Sequence, residues 1–205
     1  MSLELAIGAS IGGQRSLVAT KSVGFNVMLD PIMTLNLTGC NAGMVILLGD
    51  DPGAYGSQND QDTRLLAHAA KLPMLEPASA TEMYGMVQAA YKLSEKFRTP
   101  VIIRETRAAA QSTSDIDVPD LTLDQLQAVG QCADANSDDS ASLCPDTNTP
   151  FRYCPYPQNA VSMSAAMHDR LHRWEEALSS SSSSNPLQQV NLRFGTGDIG
   201  ILCGG

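Results

Sequence analysis

Val45-Ile-Leu-Leu48 is an unbroken β-prone apolar run, followed directly by a long polar segment and then by a helical pattern. From Asp60 to Leu72 the spacing predicts a helix carrying Leu65, Leu66, Ala69 and Leu72 on one face. A strand this apolar must be covered on both sides, and a strand feeding a helix is the building unit of a parallel sheet. The connecting segment, Gly49-Asp-Asp-Pro-Gly-Ala-Tyr-Gly-Ser-Gln-Asn-Asp-Gln-Asp-Thr-Arg64, is rich in small and hydrogen-bonding residues. In open parallel sheets ligands bind beyond the carboxyl ends of the strands, so this loop reads either as a ligand-site wall or as an ordinary solvated turn.

The flanking sequence continues the alternation. Leu3 to Gly13 is helix-like and unusually small-sided, with Gly8 and Gly12 one turn apart. Glycine costs a helix about 1 kcal/mol relative to alanine, which predicts a closely packed neighbour: the sheet, a second subunit or a cofactor. Ser16-Leu-Val-Ala19 reads as a strand, Thr20 to Asn26 as a second strand-to-helix loop, and Val27 to Leu37 as a helix that starts late, because Pro31 suits a first turn. Right-handed crossovers put both loops on one edge of the sheet.

Ser79 followed by Glu82 reads as a capping box, after which Met83, Met86, Val87, Ala90, Leu93 and Phe97 recur at helical spacing. Pro100-Val-Ile-Ile103 reads as a central parallel strand with Arg104, Glu105, Thr106 and Arg107 emerging at its carboxyl end. Those charges read either as surface ion pairs or as an arginine facing an anionic ligand. Beyond Ala108 the character changes, and Gln131 to Pro150 reads as a mobile surface insertion. A helix is predicted from Asn159 to Leu178, with Val161, Ala165, Leu171, Trp174 and Leu178 as its buried stripe, ended by the serine run Ser179 to Ser184.

The 205 residues, 43% hydrophobic, suffice for one sizeable domain and an appendage. A net charge of −9 with scattered basic residues argues against nucleic acid as a partner. No apolar run reaches bilayer length and no signal-type leader opens the chain, so no membrane association and a cytoplasmic location are expected. Cys40, Cys132, Cys144, Cys154 and Cys203 include no C-x-x-C pair, which points to reduced thiols and away from a cluster. Two other motifs are discounted. Gly195-Thr-Gly-Asp-Ile-Gly200 fits a dinucleotide-binding pattern with only five residues after it, too few for the helix such a site requires. His168 and His172 lie one helical turn apart without an evident third ligand, and read as a surface pair.

Several ordered blocks carry a resemblance: Gly8-Ala-Ser10, Lys21-Ser-Val-Gly-Phe-Asn26, Asp30-Pro-Ile-Met-Thr34, Asp50-Asp-Pro-Gly53 and Ser57-Gln-Asn-Asp-Gln-Asp62, then Lys71 to Pro77, Leu93 to Phe97 and Pro100 to Arg104. In order and spacing they resemble the thiamine-diphosphate pyrimidine-binding domain of the indolepyruvate:ferredoxin oxidoreductase alpha subunit, in the 2-oxoacid:ferredoxin oxidoreductase family. The likeness is dense to about Arg107 and weaker from Phe151 onward.

The resemblance implies a three-layer α/β fold with a mainly parallel sheet covered by helices, its N-terminal part missing. Residues 1–107 would form the pyrimidine-binding-type domain, 108–157 an insertion, 158–187 a linking helix and serine-rich linker, and 188–205 the truncated start of a further domain. It further implies thiamine diphosphate with magnesium, shared with the diphosphate-binding domain of the same enzyme, and iron–sulfur clusters elsewhere in the complex. Implied partners are a beta/gamma-type subunit and ferredoxin, in an assembly that is at least dimeric. The implied reaction is oxidative decarboxylation of a 2-oxoacid, indolepyruvate or another aryl pyruvate, to an acyl-CoA. By position in the family, Lys21, Val23, Gly24 and Asn26 would face the aminopyrimidine or the substrate, while Asp50, Asp51, Ser57, Gln58 and Asn59 would line the neighbouring loop or domain interface. For Lys21 the alternative is a solvated lysine at a strand end. The glutamate that activates the cofactor falls before residue 1 in the family pattern, and Glu4 occupies a later, non-activating place. The chain alone is therefore expected to be inactive, as a truncated subunit or, alternatively, as a non-catalytic interaction module that keeps the fold.

Overall fold

A computed structural model describes residues 1–125 and 157–179. Four strands form one parallel sheet in the order β1-β2-β4-β3: β1 is Ser16–Lys21, β2 Met44–Asp50, β3 Met74–Leu75 and β4 Val101–Thr106. Val18 sits opposite Ile46, which sits opposite Ile102, so side chains at these positions form one row on one face. Val45 and Val101 begin the corresponding row on the other face, and both are fully buried. The two rows explain the unbroken apolar strands, because each face nucleates its own core.

On the first face, α1 (Ser2–Ile11), α2 (Ser22–Val27), α3 (Leu29–Thr38) and α4 (Arg64–Ala69) bring Leu3, Phe25, Ile32, Leu35 and Ala67 against Val18, Ile46 and Ile102. On the second, α5 (Ala80–Phe97) lays Ala90, Leu93 and Phe97 on Val45, Val101 and Ile103. A short α6 (Arg107–Ala110) follows β4, and α7 (Pro157–Ser179) seats Trp174 edge-on to Phe97 with ring centroids 4.9 Å apart. The result is the three-layer α/β architecture expected from the alternation. The capping box of α5 also forms: the Glu82 N–H donates to Ser79 Oγ at 3.2 Å, and Glu82 Oε2 accepts from the Ala78 N–H at 2.8 Å.

Several local expectations are corrected. Thr20 to Asn26 is no loop: β1 runs to Lys21 and α2 starts at Ser22. The Ser-Val-Gly-Phe-Asn-Val sequence is a poor helix former, but burial of Phe25 and Met28 three residues apart outweighs propensity. Val27 belongs to α2 and is exposed, and Pro31 is the third residue of α3, where its missing N–H has no intrahelical partner to lose. The helix expected from Asp60 begins only at Arg64, with Thr63, Ala67 and Ala70 buried while Leu65 and Ala69 are exposed. Just after α4, the chain is tied to α3 by Asn36 Nδ2, which donates to the Ala70 carbonyl at 2.6 Å.

In α7 the buried stripe is Met163, Met167 and Trp174, whereas Val161 and Ala165 are exposed and Leu171 is half-buried; the burial of Leu178 lies outside the described residues. Its polar anchor Arg170 donates to the carbonyls of Asn36 (2.6 Å) and Leu37 (3.1 Å), capping the last turn of α3. Helix α1 does pack on the sheet, through Leu3 and Ala6, but no close neighbour meets its two glycines among the described residues: a Cβ built on Gly8 has open space beyond its own helix, and one on Gly12 meets only its own helix. The 131–150 insertion, the glycine motif at 195–200, the serine run from 180 onward and Cys132, Cys144, Cys154 and Cys203 lie outside them.

Candidate functional site

The carboxyl ends of β1, β2 and β4 open into a cleft of ≈ 670 Å³, whose lining includes Lys21, Gly49, Asp51, Tyr55, Glu105 and Arg107, with Ala19, Leu47 and Ala110 as apolar lining. An adjoining hollow of ≈ 380 Å³ shares Asp51, Tyr55, Thr106 and Arg107. Tyr55 and Arg107 therefore stand where the two meet, the guanidinium 5.1 Å from the ring centroid. The glycine-rich loop is thus one wall of a concavity at the carboxyl edge of the sheet.

Asp51 organises that wall. Its Oδ2 accepts from the Gly56 N–H (2.7 Å) and the Ser57 hydroxyl (3.0 Å), and Lys21 Nζ lies 4.0 Å away while donating to the Gly56 carbonyl at 2.6 Å. The other oxygen, Oδ1, is buried without a hydrogen-bond partner. The Gly56 N–H, then Ser57, then the charges of Lys21 and Arg107, hold the Asp51 carboxyl below the usual carboxylate range. A carboxyl whose folded pKa is depressed contributes stability that is complete above its unfolded value, near 3.9, and is lost as pH falls through the folded value. Carboxyl-detected NMR titration is therefore expected to find Asp51 titrating below that value, with the Gly56 amide moving in step. A titration at the ordinary value would refute this loop geometry. Asp62 should titrate lower still, at about 2, chiefly because the Arg64 side chain donates to it.

The sequence missed the polar centre beneath the loop. Arg104 does not emerge at a strand end; it lies within β4 at 2% exposure, with Nε donating to Asp50 Oδ2 at 2.7 Å, Nη1 bonded to Glu76 and Nη2 3.8 Å from Asp62. Asp50, the last residue of β2, also accepts from the Thr63 N–H (3.0 Å) and hydroxyl (2.8 Å). Both readings of the Arg104 to Arg107 charges fail for Arg104, which is itself buried and whose guanidinium pairs with protein carboxylates: the buried Asp50 and the half-buried Glu76 and Asp62. The available signal was the register, which puts Leu48 and Arg104 side by side in adjacent strands.

Of the residues singled out from sequence, Lys21, Asp50 and Asp51 meet at the cleft, and Ser57 joins them through Asp51. Val23, Gly24 and Asn26 lie on α2 and line neither the cleft nor the adjoining hollow, and a Cβ at Gly24 would come within 2.2 Å of Thr20 Oγ1. Asn26 exchanges two hydrogen bonds with Gln61, at 2.7 and 2.9 Å. Gln58 and Asn59 are exposed, and Asn59 Nδ2 donates to Gln61 Oε1 at 3.1 Å. Glu4 is exposed and pairs with the chain's own amino group. Among the described residues no group of three or more His, Cys, Asp or Glu could hold a metal ion. His168 Nε2 lies 3.3 Å from Lys71 Nζ, and His172 lies 3.3 Å from Glu176. No described helix is long and apolar enough to cross a membrane.

Comparison with known proteins places this geometry. Residues 2–180 match the family of pyruvate flavodoxin/ferredoxin oxidoreductase thiamine-diphosphate-binding domains. Indolepyruvate oxidoreductase subunit IorA of Pyrococcus abyssi is 40% identical over 121 residues, which are 59% of this chain and 19% of that protein. Its counterpart in Methanothermobacter marburgensis is 28% identical over all 205 residues, 30% of its own length. This chain thus spans between a fifth and a third of these relatives. Among solved structures, 2-oxoglutarate:ferredoxin oxidoreductase from Magnetococcus marinus, with 2-oxoglutarate, coenzyme A and succinyl-CoA bound, superposes with a TM-score of 0.54 at 16% identity, over 85% of this chain and 35% of that one; at that identity the likeness is one of fold. The match over nearly the whole described fold, with the site at the carboxyl edge of its sheet, shows that the chain belongs to the thiamine-diphosphate-binding family of pyruvate flavodoxin/ferredoxin oxidoreductases.

Proposed function

We propose that this chain is part of the alpha subunit of a thiamine-diphosphate-dependent 2-oxoacid:ferredoxin oxidoreductase, acting on indolepyruvate or another aryl pyruvate, and that it supplies one wall of the cofactor site. The observation that carries this reading is the cleft itself, which combines the apolar lining of Ala19, Leu47 and Ala110 with Lys21, Asp51, Glu105 and Arg107. A partly apolar heteroaromatic ring with hydrogen-bonding edges suits that lining, and the buried, unpartnered Asp51 Oδ1 is an acceptor still lacking a donor.

When bound, thiamine diphosphate supplies an electron sink for the loss of carbon dioxide from a 2-oxoacid. This chain's residues bind and orient. Lys21, Val23, Gly24 and Asn26 would face the aminopyrimidine or the substrate, while Asp51 and Ser57 brace the loop and Gln58 and Asn59 present its exposed tip to the diphosphate-binding domain. Asp50 acts from below, its carboxylate engaged by Thr63 and Arg104. Ferredoxin, a beta/gamma-type subunit and the iron–sulfur clusters complete the proposed assembly, which is at least dimeric and cytoplasmic.

Calorimetric titration of thiamine diphosphate with magnesium tests this reading. The complete subunit is expected to bind, this chain alone is not, and Lys21→Met in the complete subunit should weaken binding about tenfold, equivalent to ~1.4 kcal/mol. No binding by a folded complete subunit would make a non-catalytic interaction module the correct reading.

A further inference from the structure

We propose that Gln61 is a positioning residue: it fixes the carboxamide of Asn26, with a polarity imposed by the buried Asp50–Arg104 pair, so that the remaining Asn26 N–H is held for an acceptor oxygen of the bound substrate. The substrate half of this inference rests on the 2-oxoacid reading; the positioning half does not.

The polarity follows from the hydrogen-bonding capacity of each group. Asp50, ion-paired with Arg104 and buried, can only accept, so the Thr63 hydroxyl must donate its proton to Asp50 Oδ1, 2.8 Å away. Thr63 Oγ1 is then left to accept, and it does so from Gln61 Nε2 at 3.0 Å. That bond settles which end of the Gln61 amide is nitrogen. The second Nε2 proton goes to Asn26 Oδ1 (2.9 Å), and Oε1 accepts from Asn26 Nδ2 (2.7 Å) and Asn59 Nδ2 (3.1 Å). Both donors and both lone pairs of Gln61 are thereby used.

A charge at the centre of the sheet thus dictates the orientation of an exposed amide on α2. Asn26 keeps one N–H and one carbonyl lone pair outside the pair, and its side chain is solvent-facing. A solvated asparagine would rotate and flip freely. Here flipping would set Nδ2 against Nε2 and Oδ1 against Oε1, losing both bonds at once. Binding to a group held in one orientation avoids the cost of ordering it on association.

The test uses Gln61→Ala, Asn26→Ala and the double variant. In this chain, NMR of the Asn26 carboxamide is expected to show resonances displaced from free-asparagine values, returning to them in Gln61→Ala. Unchanged Asn26 resonances in Gln61→Ala would overturn the positioning role without touching the 2-oxoacid reading. In the complete enzyme with indolepyruvate as probe, Gln61→Ala should raise KM about tenfold with kcat within about twofold, and the double variant should be no worse than Asn26→Ala alone. An additive double variant, or an unchanged KM in Gln61→Ala, would overturn the substrate half. A wild-type enzyme that neither binds thiamine diphosphate nor turns over indolepyruvate would overturn the 2-oxoacid reading and the substrate half with it. Gln61→Glu, which cannot donate when ionised, should raise KM at pH 8 and recover as pH falls toward the carboxyl range; a pH-independent KM would count against the polarity argument.

Discussion

Arg104→Ala is expected to destabilise the domain by ~3–5 kcal/mol, because it removes the cation from a buried carboxylate cluster and leaves the negative charges behind. Asp50 is fully buried, whereas Glu76 and Asp62 keep partial access to water, at 18% and 36% side-chain exposure. Desolvated charge is tolerated when paired and costly when not. For a chain of this size the corresponding fall in Tm is roughly 6–20 °C, measurable by urea or thermal denaturation. Adding Asp50→Asn should return part of the loss, since asparagine still accepts from Thr63 but carries no unpaired charge. A loss below about 1 kcal/mol would mean that the cluster is hydrated and that the ion pairs hold little together.

The second large effect is expected at the turn after α3. Gly39 has φ +69° and ψ −173°, a conformation open essentially to glycine alone, and a Cβ there would meet the Arg98 carbonyl oxygen at 2.5 Å. That oxygen belongs to a fixed backbone: Arg98 closes α5 in the left-handed conformation, and its carbonyl accepts from the Cys40 N–H at 3.1 Å. No side-chain rotation can relieve the contact. Gly39→Ala should therefore cost roughly 2–6 kcal/mol, the sum of backbone strain and overpacking. Gly8→Ala supplies the contrast, since its Cβ would enter open space within α1, and a gain of roughly 0.5–1 kcal/mol in helix stability is expected. Equal and small effects at the two positions would refute the backbone contact between the turns ending α3 and α5.

Legibility from sequence followed the range of the interaction. Met44–Asp50 and Val101–Thr106 were recognisable because double-sided burial demands a continuous apolar run, which survives in a one-dimensional string. The start of α5 was legible because a capping box closes within four residues. Helix α2 was not, since what stabilises it is Phe25 and Met28 entering a core built from six other elements. Leu65 is exposed and Ala67 buried for the same reason: which side of a short helix enters the core is set by elements distant in sequence.

The candidate site divides the same way. The loop after β2 announced itself by composition and position, whereas Lys21 and Asp51 were assigned to it by their position in the family pattern. Arg104 read as a strand-end charge because nothing local marks a buried arginine. Its partners Asp50, Asp62 and Glu76 are 54, 42 and 28 residues distant, and only the parallel register and the packing of the 51–63 loop bring them together. By itself the sequence determined the alternation of strands and helices, the parallel sense of the sheet and the edge where the loops gather, because these follow from periodicity and chain chirality. The tertiary structure alone decided which carboxylates share one guanidinium and which amide turns toward solvent, because charge pairing and hydrogen-bond polarity depend on distances of a few ångströms between residues the chain keeps far apart.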